Sequence, residues 1–455
     1  MRIAVVGAGI SGLSAAWLLS RQHDVVLFEK EPRYGGHSNT VDVPEDAQGQ
    51  AARSVAIDTG FIVYNTACYP NLIALFEHLD VPTAATEMSF SVSLDEGRYE
   101  YNGNGAGGFF AQRSNLVSAR HWRMAGDIRR FFSEAALLQR EAADLTLSLG
   151  QWLERRQYSR SFIDHHIVPM GAAIWSAPAS EILGFPAQSF ARFFANHGLL
   201  QMKDRPQWRT VRGGSREYVS RLTSAFRGQA SVGDGVAEIK RSASGVEIKT
   251  RAGQQALFDR CVIACHGDEA LGCLTDASSE ERRLLGAFRY ADNDTILHTD
   301  TRLMPRRRRV WTSWNYLGAS SADAASNAAV TYWMNKLQPL GTARDYFVSL
   351  NAQQPVAPEK VIARFSYQHP LFDRAALEAQ RQLWSLQGQR NTWYAGSYFG
   401  FGFHEDALQS GLAAAEHLST TAGAPAVRRP WRVEGESSRL TFTTRPPADS
   451  LVAAQ

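Results

Sequence analysis

The sequence predicts an α/β fold: a parallel sheet opened by a strand, a glycine-rich turn and a helix, in a chain long enough for two or three compact units. Three observations carry this expectation. The chain opens on a β-branched run, a glycine-rich turn and a stretch with helical spacing. A second apolar run follows and ends in an acid. The 455 residues are about three times the ~150 expected of one domain.

The first element is Arg2 to Val6, a short run suited to a buried parallel strand. Gly7, Gly9 and Gly12 then spell G-x-G-x-x-G, with Ala8, Ile10 and Ser11 between them, and Leu13, Ala16 and Trp17 recur at helical spacing. Gly7 permits the tight turn, Gly9 lets a pyrophosphate approach the backbone, and Gly12 lets the helix pack on the sheet. The free N–H groups around Ile10 and Ser11 face the anion. Three glycines interrupt the apolar stretch and no A-x-A site follows, so a signal peptide is not expected. Asp24 to Phe28 reads as the second strand, and Glu29 closes it beside Lys30. A carboxylate there accepts hydrogen bonds from a ribose and repels a 2′-phosphate, which disfavours NADP. A second G-x-G-x-x-G, Gly103, Gly105 and Gly108, follows the polar segment DEGRYEYN and reads as a flexible loop.

Composition excludes several classes. The 48 Lys+Arg against 45 Asp+Glu leave a net charge of +3, too balanced for a nucleic-acid binder. Aromatics at 11% exclude disorder over most of the chain. No uncharged apolar run reaches the ~18 residues of a membrane span. The four cysteines make no disulfide scaffold. Cys261, Cys265 and Cys273 fit no zinc spacing and read as buried small hydrophobes of a cytoplasmic protein; no metal is expected.

Further along, residues begin to resemble a family. Gly35-Gly36 in EKEPRYGGHSNT, then Ala56-Ile57-Asp58-Thr59-Gly60-Phe61, resemble the flavin amine oxidase and phytoene desaturase superfamily. So do Val232 to Lys249, read as a β-meander returning through Phe258 to Ala264, and Trp393-Tyr394-Ala395-Gly396 followed by Gly402 to Gly411. The match covers about residues 1–75, 210–275 and 390–418.

The resemblance implies a discontinuous Rossmann-type FAD-binding domain of the GR2 type (1–75, 206–285 and 390–420). It also implies an α+β substrate domain (76–205 and 286–389), leaving a C-terminal extension (421–455). The ADP half of FAD would lie on Gly7 to Gly12 and Glu29, with Val236 near the adenine. Gly35, Gly36 and His37 would run beside the pyrophosphate, His37 standing where the family often has Arg. Asp58, Thr59, Gly60, Phe61 and Ile62 complete the expected cofactor set, with Gly396, Phe403, His404 and Ala407. The helix that begins near His404 would aim its positive end at the flavin. Thr392 stands where covalently flavinylated relatives carry Cys, so non-covalent FAD is expected.

Trp393 and Phe403 stand where amine oxidases place two tyrosines before the flavin; with His404 they are the expected substrate-facing residues. No lysine can be placed at the flavin: Lys336, in YWMNKLQ, has no supporting context. Stretches such as GFIVYN, MPRRRRVWTSWNY and SYFGFGFHEDALQSG resemble a bacterial branch of NAD/FAD-binding oxidoreductases associated with fatty-acyl modification. That likeness implies a lipid or other small-molecule substrate that loses a hydride to the flavin, with O2 or another acceptor taking the electrons. Oxidation of an amine and a non-redox use of FAD are the competing readings.

Elsewhere, Ile128, Phe131, Phe132, Ala135, Leu138, Ala142, Leu145 and Leu149 predict one long helix, while Ala328 to Met334 and Val361 to Tyr367 predict strands. His165-His166 reads as an ordinary polar pair, and His298 and His369 as isolated residues. Arg306 to Arg309 reads as a solvated loop, with peripheral contact to an acidic membrane leaflet as the alternative. The tail from about residue 420, with Arg428-Arg429-Pro430-Trp431-Arg432, reads as an extension on the surface.

Overall fold

The computed structural model describes residues 1–45, 53–138, 145–201, 205–319, 329–421 and 426–433. Its nucleotide-binding layer is a five-stranded sheet in the order Gln229–Val232, Asp24–Glu29, Arg2–Val6, Arg260–Ile263, Thr392–Tyr394. Every pairing is parallel. Parallel strands buried on both faces need unbroken apolar runs, and Ile3, Ala4 and Val5 are fully buried. The helix Ile10–Leu19 is buried along its whole length because it lies between the sheet and the helix His404–Thr421. Those helices cross so closely that a Cβ on Gly411 would stand 2.1 Å from the Ser11 carbonyl oxygen. Only glycine fits that crossing.

The expected meander is present as Val236–Ser242, Gly245–Thr250 and Gln255–Phe258. Its start differs from expectation: Val232 ends a parallel strand, paired with Glu29.

A second, mixed sheet has seven strands in the order Val361–Leu371, Arg289–His298, Phe347–Leu350, Ala329–Trp333, Trp314–Gly318, Phe90–Leu94, Tyr99–Asn102. A helical group that includes Ala119–Leu138, Leu149–Arg155, Val168–Trp175 and Ala187–Asn196 packs beside it. The long helix expected through Leu149 is described as Ala119–Leu138, and residues 145–148 are not helical. Ser148 and Gln151 form a capping box that starts a new helix. Ala142, placed in that run, lies outside the described residues.

Two loop expectations are corrected. Gly103 to Gly108 is not a flexible loop: Tyr99–Asn102 is a buried strand and Gly105–Phe109 a short helix. The Asn102 amide donates to the carbonyl oxygens of Arg309 and Val310, which fixes the turn. The arginine run is not simply solvated either. Arg307 pairs with the buried Glu100, Arg306 with Glu96, and Arg308 with Asp345. Arg308 also lies 3.9 Å over the Trp311 ring. Charges engaged in this way are poor candidates for a membrane contact.

The described part of the tail packs back on the nucleotide-binding layer. Arg429 bonds both Glu416 carboxylate oxygens and the Asn71 side-chain carbonyl, and Trp431 stacks on Trp17 at 6.0 Å. Residues 422–425 and 434–455 of the expected extension lie outside the described residues. Among those described, no helix is long and apolar enough to cross a membrane.

Candidate cofactor and substrate cleft

A cleft of about 1240 Å³ opens at the carboxyl ends of the parallel strands and runs on to the seven-stranded sheet. That exceeds the roughly 300–1,000 Å³ common for one ligand, and leaves room for a cofactor with a substrate. In open α/β sheets this is where ligands bind.

The floor follows from the glycine turn. Gly7 has φ +99°, and its N–H donates to the Phe28 carbonyl at 2.8 Å, joining the first turn to the second strand. A Cβ on Gly12 would stand 1.8 Å from the Gly7 carbonyl oxygen, so Gly12 serves helix–strand packing and does not line the cleft. A Cβ on Gly9 would meet nothing within 4 Å. The empty direction at Gly9, at the start of the helix Ile10–Leu19, suits a pyrophosphate. Glu29 accepts the Ala8 N–H at 2.7 Å and the Glu31 N–H at 2.9 Å, so its carboxylate secures the loop as well as lining the cleft. Gly35 donates its N–H to the Ala8 carbonyl, and a Cβ on Gly36 would come within 3.1 Å of the Gly9 Cα, so this turn lies directly on the loop. Ile10, Ser11, Lys30, His37, Gly60, Phe61, Ile62, Val236, Gly396, Phe403, His404 and Ala407 all line the cleft.

Asp58, Thr59 and Trp393 do not, and their expected roles are corrected. Asp58 is buried behind the wall, where it accepts from Thr40 Oγ1, the Ser215 N–H and Oγ, and Gln338 Nε2. Burial pushes its carboxyl up to about 6 against those hydrogen bonds. Thr59 shares a 2.7 Å hydrogen bond with the Tyr367 hydroxyl. Both anchor the segment that presents Gly60 and Phe61. Trp393 is buried in the core on the strand Thr392–Tyr394, and its indole N–H donates to His417 Nδ1 at 2.9 Å. Strand alternation sends Tyr394 the other way, into a buried cluster with Arg241 and Glu281. Neither side chain reaches substrate, and Thr392 is fully buried away from the cleft too.

At the other end of the cleft, His404 begins the helix His404–Thr421. Its ring stacks on Phe61 at 3.8 Å, and its Nε2 lies 2.7 Å from the Tyr218 hydroxyl and 3.2 Å from Ser38 Oγ. Burial lowers its pKa to about 3, so the ring is neutral. Phe403 stacks on Phe193 at 5.1 Å.

Sequence reasoning missed Tyr218 and Ser38, since nothing in their spacing links them to His404. It also read His369 as isolated and did not single out His266. The structure brings both rings within 6 Å of His37, at 5.8 Å and 5.9 Å. Burial, then the neighbouring histidines, hold His37 well below its ordinary value, and burial holds His369 at about 4. His165 and His166 are buried, His166 bonded to Tyr101, and among the described residues no group could hold a metal. Cys261 is buried as expected, whereas Cys265 and Cys273 line the cleft with their thiols raised by burial.

Beyond these residues the wall is apolar and mostly aromatic: Ile174, Trp175, Trp208, Trp314, Tyr332 and Phe401. Four carboxylates also line the cleft among the described residues. Glu29, Glu31 and Glu269 cluster at the nucleotide end with Lys30, and Asp292 accepts from Gln368 beside His37. Lys336 pairs with Glu87 away from the cleft, and Lys30 is the one lysine among the described lining residues.

The glycine turn, the open direction at Gly9, the Glu29 carboxylate and the extent of the cleft fit FAD. The chain belongs to the family "Flavin containing amine oxidoreductase", whose model matches residues 10–294. It is 26% identical over 263 residues to the Mycobacterium tuberculosis protein named "Putative flavin-containing monoamine oxidase AofH", covering 55% of this chain and 54% of that one. The chain thus spans about half the length of the curated relatives it matches. Two solved structures share the fold. A CLA-producing fatty acid isomerase from P. acnes has a TM-score of 0.65 at 15% identity, over 93% of this chain and 99% of that one. A putrescine oxidase bound to putrescine has a TM-score of 0.65 at 15% identity, over 92% and 99%.

Proposed function

We propose that this flavoprotein oxidises an apolar substrate, a fatty acyl chain or related lipid, by removing hydrogen from adjacent carbons. The observation that carries this reading is the apolar wall of Ile174, Trp175, Trp208, Trp314, Tyr332 and Phe401, while of the carboxylates among the described lining residues Glu29, Glu31 and Glu269 lie at the nucleotide end and Asp292 already accepts from Gln368. An unpaired ammonium buried there would be costly.

FAD, when bound, supplies the two-electron acceptor. The chain's own residues do the rest. Gly7 to Ser11, Gly35, Gly36 and Glu29 hold the nucleotide. The N-terminus of the helix His404–Thr421 places positive potential at the cleft, which favours negative charge nearby. Phe61, Phe403 and the tryptophans exclude water and fix the substrate, and positioning is the chief requirement of such chemistry. The expected domain division is part of the proposal, as is FAD held without a covalent bond; burial keeps the Cys265 thiol protonated and unreactive. O2 or another acceptor reoxidises the enzyme.

Amine oxidation is the second reading, favoured by the name of the M. tuberculosis relative. Anaerobic mixing of the yellow protein with phospholipids, free fatty acids and amines separates the two. Lipids are expected to bleach the flavin. Bleaching by amines alone overturns the acyl-chain reading, and bleaching by neither favours a non-redox role.

A further inference from the structure

Far along the chain from the nucleotide loop, the segment Arg113–Val117 and the start of the helix Ala119–Leu138 carry three large apolar side chains on the surface. Val117 is 89% exposed, Trp122 53% and Leu116 52%. They form one knob: the Trp122 indole N–H donates to the Leu116 carbonyl at 2.9 Å, and Phe110 packs on the Trp122 ring at 4.9 Å. Isolated exposed apolar residues are commonplace, but a contiguous group of this kind marks a contact surface.

The charges around the knob narrow the partner. Arg113, Arg120 and Arg123 are exposed and neighbour the knob residues along the chain. The sequence from Arg113 to Arg130 holds one acid, Asp127, and that carboxylate is taken by Arg130 and the Ser159 N–H. Arg120 lies 5.0 Å over the Tyr99 ring, and among the described residues the three guanidiniums make no ion pair. A second copy of this chain is a poor fit, because a two-fold interface sets like against like and would face the arginines toward one another. A tryptophan and aliphatic side chains rimmed by arginines suit the boundary of an anionic bilayer, where the apolar groups enter the acyl region and the guanidiniums meet phosphates.

We propose that Leu116, Val117 and Trp122, with Arg113, Arg120 and Arg123, dock the protein on an anionic phospholipid surface. The knob is held rigidly. His121, next to Trp122 in the chain, is buried against Phe109 and Phe110, and its Nδ1 lies 2.7 Å from the Tyr99 hydroxyl, which anchors the start of the helix. Neither the apolar nor the basic element suffices alone, since stable attachment takes two signals. The proposal replaces the run Arg306 to Arg309, in which Arg306, Arg307 and Arg308 are paired within the protein, as the membrane-facing element. It does not depend on the acyl-chain reading: a protein that sediments with vesicles but is bleached only by amines keeps this surface and loses that substrate.

The test is co-sedimentation of the holoprotein with phosphatidylcholine vesicles containing or lacking phosphatidylglycerol, at low and high salt. The wild type is expected to bind the anionic vesicles alone and to release with salt. Replacing the three arginines by alanine should weaken binding by roughly a hundredfold at low salt, and Leu116→Ser with Val117→Ser should abolish it while sparing the Trp122 hydrogen bond. Bound flavin absorbance and the melting temperature, unchanged in both variants, certify folding. Failure of the wild type to bind anionic vesicles at low salt overturns the proposal, as does undiminished binding by either variant. Self-association that the serine pair abolishes, without vesicle binding, assigns the knob to a second copy and also overturns it.

Discussion

The Tyr218 hydroxyl stands 2.7 Å from His404 Nε2, while the imidazole lies flat against Phe61, 3.8 Å from that ring. The same hydroxyl shares a 2.5 Å hydrogen bond with Ser38. A ring so held cannot swivel.

Tyr218→Phe leaves a buried imidazole nitrogen with only the longer Ser38 contact. A loss of about 1–3 kcal/mol is expected, the cost of an unsatisfied buried polar group. FAD affinity should fall with it, because Phe61 loses its fixed neighbour. Urea unfolding and fluorescence titration of the apoprotein measure the two. An unchanged urea midpoint means the hydrogen bond contributes nothing.

The two glycines of the first turn should separate cleanly. Gly9→Val projects into open space, so the apoprotein is expected to fold while FAD affinity drops at least about tenfold. Gly12→Ala drives a methyl into the Gly7 carbonyl oxygen and should lower the yield of folded protein itself. Circular dichroism of both apoproteins checks this. A folded Gly9→Val that binds FAD normally would place the pyrophosphate elsewhere.

Stability should rise from pH 5 to about 6.5. Burial lowers His166, His197 and His369 to about 4 and His404 to about 3. Below the ordinary value near 6.5 the unfolded chain binds protons that the folded chain refuses. Each such histidine therefore withdraws up to about 1.4 kcal/mol per pH unit as the solution is acidified. Burial acts oppositely on Asp58, Glu405 and Asp406, raised to about 6, about 7 and about 8. These carboxyls bind protons in the folded state that the unfolded state has released, so their contribution declines as pH climbs toward 8. A stability maximum near neutrality is the expected result of urea titrations across this range. A flat profile from pH 5 to 6.5 contradicts the neutral histidines, and a continued rise to pH 8 contradicts the raised carboxyls.

Phe403 and Trp393 should behave differently. Phe403→Ala opens the aromatic wall and is expected to change substrate preference or KM. Trp393→Phe removes the hydrogen bond to His417 and should cost about 1 kcal/mol of stability, with preference unaltered. Kinetics on two substrates of different length decide between them.

The nucleotide half of the site was legible because its chemistry is local. Gly7 to Gly12 and Glu29 do their work within one strand–turn–helix–strand unit, and sequence spacing records such units directly. Gly60 and Phe61 could be found through resemblance. Asp58 sits two residues before Gly60 yet points behind the wall, because the direction a side chain takes depends on what packs against it. Trp393 was misplaced for the same reason: strand alternation alone does not say which face meets the cleft. Tyr218, His266 and His369 come from segments far apart in the chain, and no periodicity encodes their meeting. The expected long helix shows a further limit, since the apolar spacing ran on through Leu145 and Leu149 although residues 145–148 are not helical and Ser148 with Gln151 begins a separate helix.

The strand Arg2–Val6 has its partner on one side at Arg260–Ile263, and beyond that the sheet is completed by Thr392–Tyr394. A ribosome therefore releases the opening strand long before the outermost one exists. The nascent chain must carry an incomplete, apolar sheet through most of its synthesis, and pairing at such separations is slow. Chaperone demand and sensitivity to premature termination follow from that order of emergence, and a chain cut short before residue 392 would expose the edge of Arg260–Ile263 to aggregation.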